Sequence, residues 1–200
     1  MPRSWPGRMA TFTAGHVLHL ILIVLPTLLL TGIDVGQISV MLFVVLIGAA
    51  GLIESLLVSP PERQSEQDPL ALQVAALVGL TMLLMFWTAQ VESWLTEPQL
   101  WPLSVLGVGL MIMGIALRAS ALYALGPRFI SDISCDAPPV SVGIYRYLRH
   151  PSEVGLLTIA VGGPLVLQAP WTALIAGSIL LPISAWRIRR EDNVLAQAMN

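Results

Sequence analysis

The sequence predicts an all-α, polytopic membrane protein with about six transmembrane helices, and three observations carry that prediction. Of 200 residues, 56% are hydrophobic and 11% charged, against roughly 45–50% and 25% in soluble chains. The apolar residues fall in blocks long enough to cross roughly 30 Å of hydrocarbon at 1.5 Å per residue. All ten positive residues are arginine, and they segregate to alternate loops, as the excess of positive charge on the cytoplasmic side requires. A net charge of -2 gives no basic field for nucleic acid. The single cysteine, Cys135, excludes an internal disulfide and a cysteine-based zinc cluster.

The predicted spans are 11–31, 36–58, 70–91, 100–125, 152–168 and 170–187. Arg3 and Arg8 precede the first block, as they would a signal peptide. The block exceeds a signal core in length, however, and Leu30-Thr31-Gly32-Ile33-Asp34 offers no small-residue cleavage site, so it reads as a span. Pro60 to Pro69 is a polar connector between the second and third spans. The fifth block is short, and only Gln168-Ala169-Pro170 separates it from the sixth, which makes the pair a helical hairpin. With the N terminus inside, Arg63, Arg118, Arg128, Arg146, Arg149, Arg187, Arg189 and Arg190 all fall on the cytoplasmic side. The loops around Asp34, around Glu92 and Glu97, and at Gln168 carry no positive residue. Both termini are therefore expected on the cytoplasmic side of an inner or plasma membrane. Two regions follow: four N-terminal spans over 1–125, and a loop, hairpin and C-terminal helix over 126–200.

The longest irregular segment, Gly126 to Pro151, carries Arg128, Asp132, Asp136, Arg146, Arg149 and His150. Polar loops of this length are frequently functional. Pro151 suits the first turn of a helix and holds His150 extended just outside it. Imidazole and guanidinium groups at a helix N terminus suit a carboxylate or phosphate, whereas interfacial Arg and Tyr alone would equally make a lipid-headgroup anchor. The last span closes with Arg187, Arg189, Arg190, Glu191 and Asp192. Arg187 and Glu191 sit four apart on one helix face and point the same way, which allows an ordinary salt bridge, although Arg before Glu is the weaker order. The tight hairpin makes the two helices neighbours, so acid and base groups converge on one cytoplasmic pocket.

Tyr145-x3-Arg149-His150-Pro151 with Gly155, followed after a hairpin by Arg187-x3-Glu191-Asp192-x2-Leu195, resembles the integral-membrane methyltransferases typified by isoprenylcysteine carboxyl methyltransferase, with phospholipid methyltransferases as relatives. The likeness covers the C-terminal third. It implies S-adenosyl-L-methionine as donor, held by Tyr145, His150, Pro151 and, by position, Ser152 and Glu153. It further implies Glu191 on the donor's amino group, the backbone of Pro139 and Val140 along the cofactor, and Arg187 facing a substrate carboxylate. The acceptor would be lipophilic, entering from membrane lipid. Three departures stand out: Glu153 replaces the family's usual Tyr, Asp136-Ala137-Pro138-Pro139 replaces a loop that often holds His, and no aromatic tail follows the acidic motif. Sterol reductases, which use a reduced nicotinamide cofactor, share a similar Arg-x-x-Arg-His-Pro region but have longer chains with more spans. A non-catalytic protein binding anionic lipid through its arginines is the reading from another class.

His16, His19 and Glu54 lie near the inner ends of the first two spans. They suggest a metal site less readily than a polar contact between helices, and no metal is expected. Cys135 reads as an incidental thiol. Gly48 to Gly51, and Ala75 with Gly79, read as positions of close helix packing. Trp5, Trp87, Trp94, Trp101, Trp171 and Trp186 read as interfacial anchors.

Overall fold

A computed structural model describes residues 17–27, 29, 38–57, 69–96, 101–126 and 142–198. These residues form α1 (Val17–Thr27), α2 (Ile38–Leu57), α3 (Pro69–Leu95), α4 (Trp101–Leu125), a 3-10 turn (Gly143–Arg146), α5 (Pro151–Val166) and α6 (Pro170–Ala198), with no strand among them. The protein is thus an all-α membrane protein. Helices α2, α3, α4 and α6 are long and apolar enough to cross a bilayer, while α1 as described and α5 are shorter apolar helices. At 16 residues, α5 is about 24 Å long.

The short helix is the central one. α5 packs against α2, α3, α4 and α6, most extensively against α4, and buries Pro151, Gly155, Ile159, Ala160 and the run from Gly162 to Val166. Gly107 and Gly114 of α4 meet Gly155 and Gly162 of α5 at matching seven-residue intervals. A Cβ on Gly107 would lie 2.4 Å from the Val166 nitrogen, and one on Gly155 2.7 Å from the Gly114 oxygen. Backbone touches backbone, which only glycine permits. Of the glycines expected to pack, Gly51 does, since a Cβ there would lie 2.8 Å from the Leu20 side chain of α1, whereas a Cβ on Gly48 or Gly79 would meet nothing within 4 Å. Small size permits close packing but does not specify it.

The hairpin turns where predicted. Gln168 takes the left-handed conformation at φ 59, with Gln168 N–H donating to Leu165 O at 3.0 Å and Ala169 N–H to Pro164 O at 2.9 Å. This is a Schellman ending with Gln in the position glycine usually fills. Across the fold, Glu92 of α3 caps α6: its carboxylate accepts from Trp171 N at 3.2 Å, Thr172 N at 2.9 Å and Thr172 Oγ1 at 2.6 Å. A negative group at a helix N terminus satisfies amides that have no intrahelical partner.

Pro26 leaves the Leu22 carbonyl of α1 without its helical donor. Trp87 Nε1 of α3 donates to that oxygen at 2.7 Å. One residue on, the Gln90 amide stands between Ile23 and Thr27, donating to Ile23 O at 2.8 Å and accepting from Thr27 N at 2.9 Å and from the Thr27 hydroxyl. Trp87 is therefore a polar link between helices rather than an interfacial anchor. Trp94, Trp101, Trp171 and Trp186 are exposed. α6 also runs eleven residues beyond its predicted end, because nothing from Arg187 to Ala198 breaks a helix. Hydropathy measures only the apolar part of such an element.

Candidate functional site

The loop-to-helix junction forms as its residues dictate. Gly143, at φ 62, opens the 3-10 turn, and Pro151 begins α5 with His150 as its N-cap residue. Val154 N–H donates to His150 O at 3.1 Å, closing the first turn. The cap carries no side-chain hydrogen bond, so the imidazole is turned toward α6. Its Nδ1 lies 3.3 Å from Glu191 Oε2 and its Nε2 3.1 Å from Asp192 Oδ1. Two acceptors on two ring nitrogens favour the imidazolium, which alone donates from both. The His150 pKa is accordingly raised: the Glu191 hydrogen bond is the largest cause, burial opposes it, and the Asp192 contact adds to it.

Ser152 and Glu153, on the first turn of α5, face different neighbours. Ser152 Oγ accepts from Arg118 Nη1 of α4 at 2.9 Å. The same guanidinium grips Glu54 of α2, with Nη2 at 2.5 Å from Oε1 and Nε at 3.3 Å from Oε2, a fork that suits a carboxylate. Glu153 turns to α6, where Arg187 Nη1 lies 2.7 Å from Oε1 and Ser184 Oγ donates to Oε2 at 3.1 Å. Arg187 thus pairs across helices with Glu153, not along its own helix with Glu191, which has been drawn to His150. The Arg-before-Glu order is the weaker one for a within-helix pair, and both partners find better ones on α5.

Tyr145 stands half-buried on the 3-10 turn. Its pKa is pushed up to about 12, chiefly by burial and then by the negative charge of Glu191, with Arg118 opposing. It is a neutral phenol at physiological pH. Tyr147 and Arg149 are exposed, and the Arg146 guanidinium lies 6.0 Å from the Tyr147 ring.

The structure therefore gathers Tyr145, His150, Pro151, Ser152, Glu153, Arg187 and Glu191 at one end of the α5–α6 pair. Pro139 and Val140, Arg128, Asp132, Asp136 and Cys135, and His16 lie outside the described residues. Glu54 does make a polar contact between helices, to Arg118. Among the described residues no group of three or more His, Cys, Asp or Glu could hold a metal ion. Arg118 is the residue sequence reasoning undervalued, having been counted only for its side of the membrane. An arginine inside an apolar helix and a glutamate inside another were together the available signal.

A profile of the isoprenylcysteine carboxyl methyltransferase (ICMT) family matches residues 107–197. Protein-S-isoprenylcysteine O-methyltransferase B of Arabidopsis thaliana is 31% identical over 103 residues, covering 50% of this chain and 52% of its own. The Saccharomyces cerevisiae protein-S-isoprenylcysteine O-methyltransferase is 32% identical over 98 residues (47% and 41%), and the Homo sapiens protein of that name 30% over 117 residues (52% and 39%). The chain spans about half the length, or less, of these curated relatives. No solved structure matches it. Through residues 107–197, which take in most of α4, the junction at His150 and the α5–α6 hairpin, the chain is similar to the isoprenylcysteine carboxyl methyltransferase family.

Proposed function

We propose that this protein is a six-span membrane methyltransferase that uses S-adenosyl-L-methionine at a cytoplasmic pocket to methylate a lipophilic acceptor. In this reading residues 1–125 form the N-terminal spans and 126–200 the methyltransferase-like region. The observation that carries it is the clamp of His150 between Glu191 and Asp192, which joins the two sequence motifs at one place. The chemistry of the donor set fits the cofactor, whose sulfonium and amino groups are both positive. Two carboxylates share one imidazole here, and the Glu191 side chain is 46% exposed, within a ligand's reach. Tyr145, His150, Pro151, Ser152 and Glu191, with Pro139 and Val140, would hold the donor, and Glu153, bonded to Arg187 and Ser184, would stand between donor and acceptor.

Bound there, S-adenosyl-L-methionine supplies a methyl group activated on a sulfonium. The chain supplies position and electrostatics. Glu191 receives a cationic amino group, the neutral Tyr145 phenol donates or accepts without adding charge, and Arg187 orients the acceptor. The buried α5 backbone fixes the first-turn residues against α4 and α6. The relatives' names bring a prenylated cysteine to this chain as the lipophilic frame of the acceptor, the reacting group on that frame being a matter for the charges around Arg187. An anionic-lipid protein would account for the arginines but not for the paired motifs.

The test is calorimetric titration of detergent-purified protein with S-adenosylhomocysteine. Binding is expected, and Glu191→Gln should weaken it by tenfold or more, since a hydrogen bond to a charged group contributes about 1.5–3 kcal/mol. Unchanged affinity in a folded E191Q variant would remove Glu191 from the donor site.

A further inference from the structure

Arg187 is already engaged. Its guanidinium meets Glu153 Oε1 at 2.7 Å while Ser184, itself buried, holds Oε2 at 3.1 Å. The Glu153 side chain is only 12% exposed and that of Arg187 26%. One oxygen of a sheltered carboxylate is thus fixed on the group that would orient an acceptor, and the other on Ser184. The nearby cations are placed elsewhere: His150 lies between Glu191 and Asp192, Arg118 holds Glu54 and Ser152, Arg190 lies over the Trp186 ring at 5.5 Å, and Arg189 is exposed.

We propose that Glu153 selects against anionic acceptors and confines the site to lipophilic acceptors whose reacting group arrives uncharged, an inference that rests on the methyltransferase reading above. An incoming carboxylate must either share Arg187 with Glu153, like charge beside like charge in a partly dehydrated place, or displace Glu153 from both its partners. A neutral amine or thiol meets neither obstacle. Its lone pair forms the bond to the methyl carbon as the carbon–sulfur bond of the sulfonium breaks, the donor departs as a thioether, and the surplus proton on the nucleophile passes to water.

The experiment uses full-length detergent-purified protein saturated with S-adenosylhomocysteine, titrated with N-acetyl-S-farnesylcysteine and with its uncharged methylamide. The wild type should bind the amide at least tenfold more tightly than the carboxylate. Glu153→Gln, which frees Arg187 with little change of shape, should shift that ratio toward the carboxylate by tenfold or more. A wild-type preference for the carboxylate, a ratio in E153Q within twofold of wild type, or binding of neither ligand overturns the proposal. The wild-type ratio decides alone should E153Q fail to fold. Failure of S-adenosylhomocysteine to bind the wild type would overturn the methyltransferase reading itself, whereas donor binding with the wrong acceptor ratio overturns only the selectivity.

Discussion

Both ends of the α5–α6 hairpin place carboxylates at the start of a helix, and they do so for different ends. At the turn, Glu92 gives its two oxygens to the first amides of α6 and to the Thr172 hydroxyl. At the opposite end, Glu191 and Asp192 flank His150 at the start of α5. Backbone amides cannot leave and do not titrate in the working range, so the Glu92 contact is permanent. An imidazole can lose its proton, and the Glu191 and Asp192 side chains are 46% and 44% exposed, so these contacts can be exchanged for a ligand's. The same residue type is a fastener where its partner is main chain and a receptor where its partner is a titrating ring.

The largest effect that tests this contrast is on the tightly packed end. Gly107→Leu puts side-chain atoms where the Val166 nitrogen and Leu165 carbonyl carbon lie 2.4 and 2.7 Å from a Cβ. Main chain cannot rotate away, so the cost should exceed the about 1–3 kcal/mol of ordinary overpacking and folded, monodisperse protein should be lost. Gly79→Leu, facing nothing within 4 Å, should purify normally. Equal thermal stability of the two variants would mean that the α4–α5 contact is looser than backbone packing implies.

A smaller loss is expected at the cap. Glu92→Gln replaces one acceptor oxygen with a donor facing other donors, and should lower unfolding stability by about 1–2 kcal/mol with S-adenosylhomocysteine affinity unchanged. A change in that affinity would show that the two ends are energetically coupled and break the contrast.

The smallest effect separates the ends by pH. His150 has its pKa raised in the folded protein. The stability it contributes is therefore fully present below its unfolded value of about 6.5 and is lost as pH rises through the higher folded value. The half-exposed acids keep this contribution modest. Thermal unfolding followed across that range should show the slope in wild type and in Glu92→Gln, and its loss in His150→Gln. A slope that survives His150→Gln would assign the titration to another group.

Much of this architecture was legible in the sequence, because hydrocarbon thickness and helix rise fix what an apolar block must be. The hairpin turn at Gln168 and the helix start at Pro151 were readable for local reasons, one from the interruption between two blocks and the other from what proline permits. The meeting of His150 with Glu191 followed from those two. The partner of Arg187 did not, since spacing along one helix suggested Glu191 and only the packing of α5 on α6 brings Glu153 nearer. Gly48 and Gly79 were misjudged for a similar reason: Gly48 and Gly107 look alike in composition, and which one meets another backbone is decided by helix rotation. Glu54 and Arg118 were each visible as ionisable residues in apolar helices, yet their 64-residue separation hid the pairing.

The contacts of Trp87 and Gln90 with α1 bear on how the chain enters the bilayer. A protein synthesised from its N terminus delivers α1 first, with the Leu22 carbonyl and the Ile23 to Thr27 interval open where no water is available to fill them. Their partners arrive only with α3, whose own glutamine is unwelcome in lipid until α1 receives it. Neither set of polar groups is satisfied by its own helix alone, and α2 meets the pair through apolar contacts such as Phe43 on Phe86 and Gly51 against Leu20. The polar groups of α1 and α3 are thus complementary, and each helix gains its full set of partners only when the two meet.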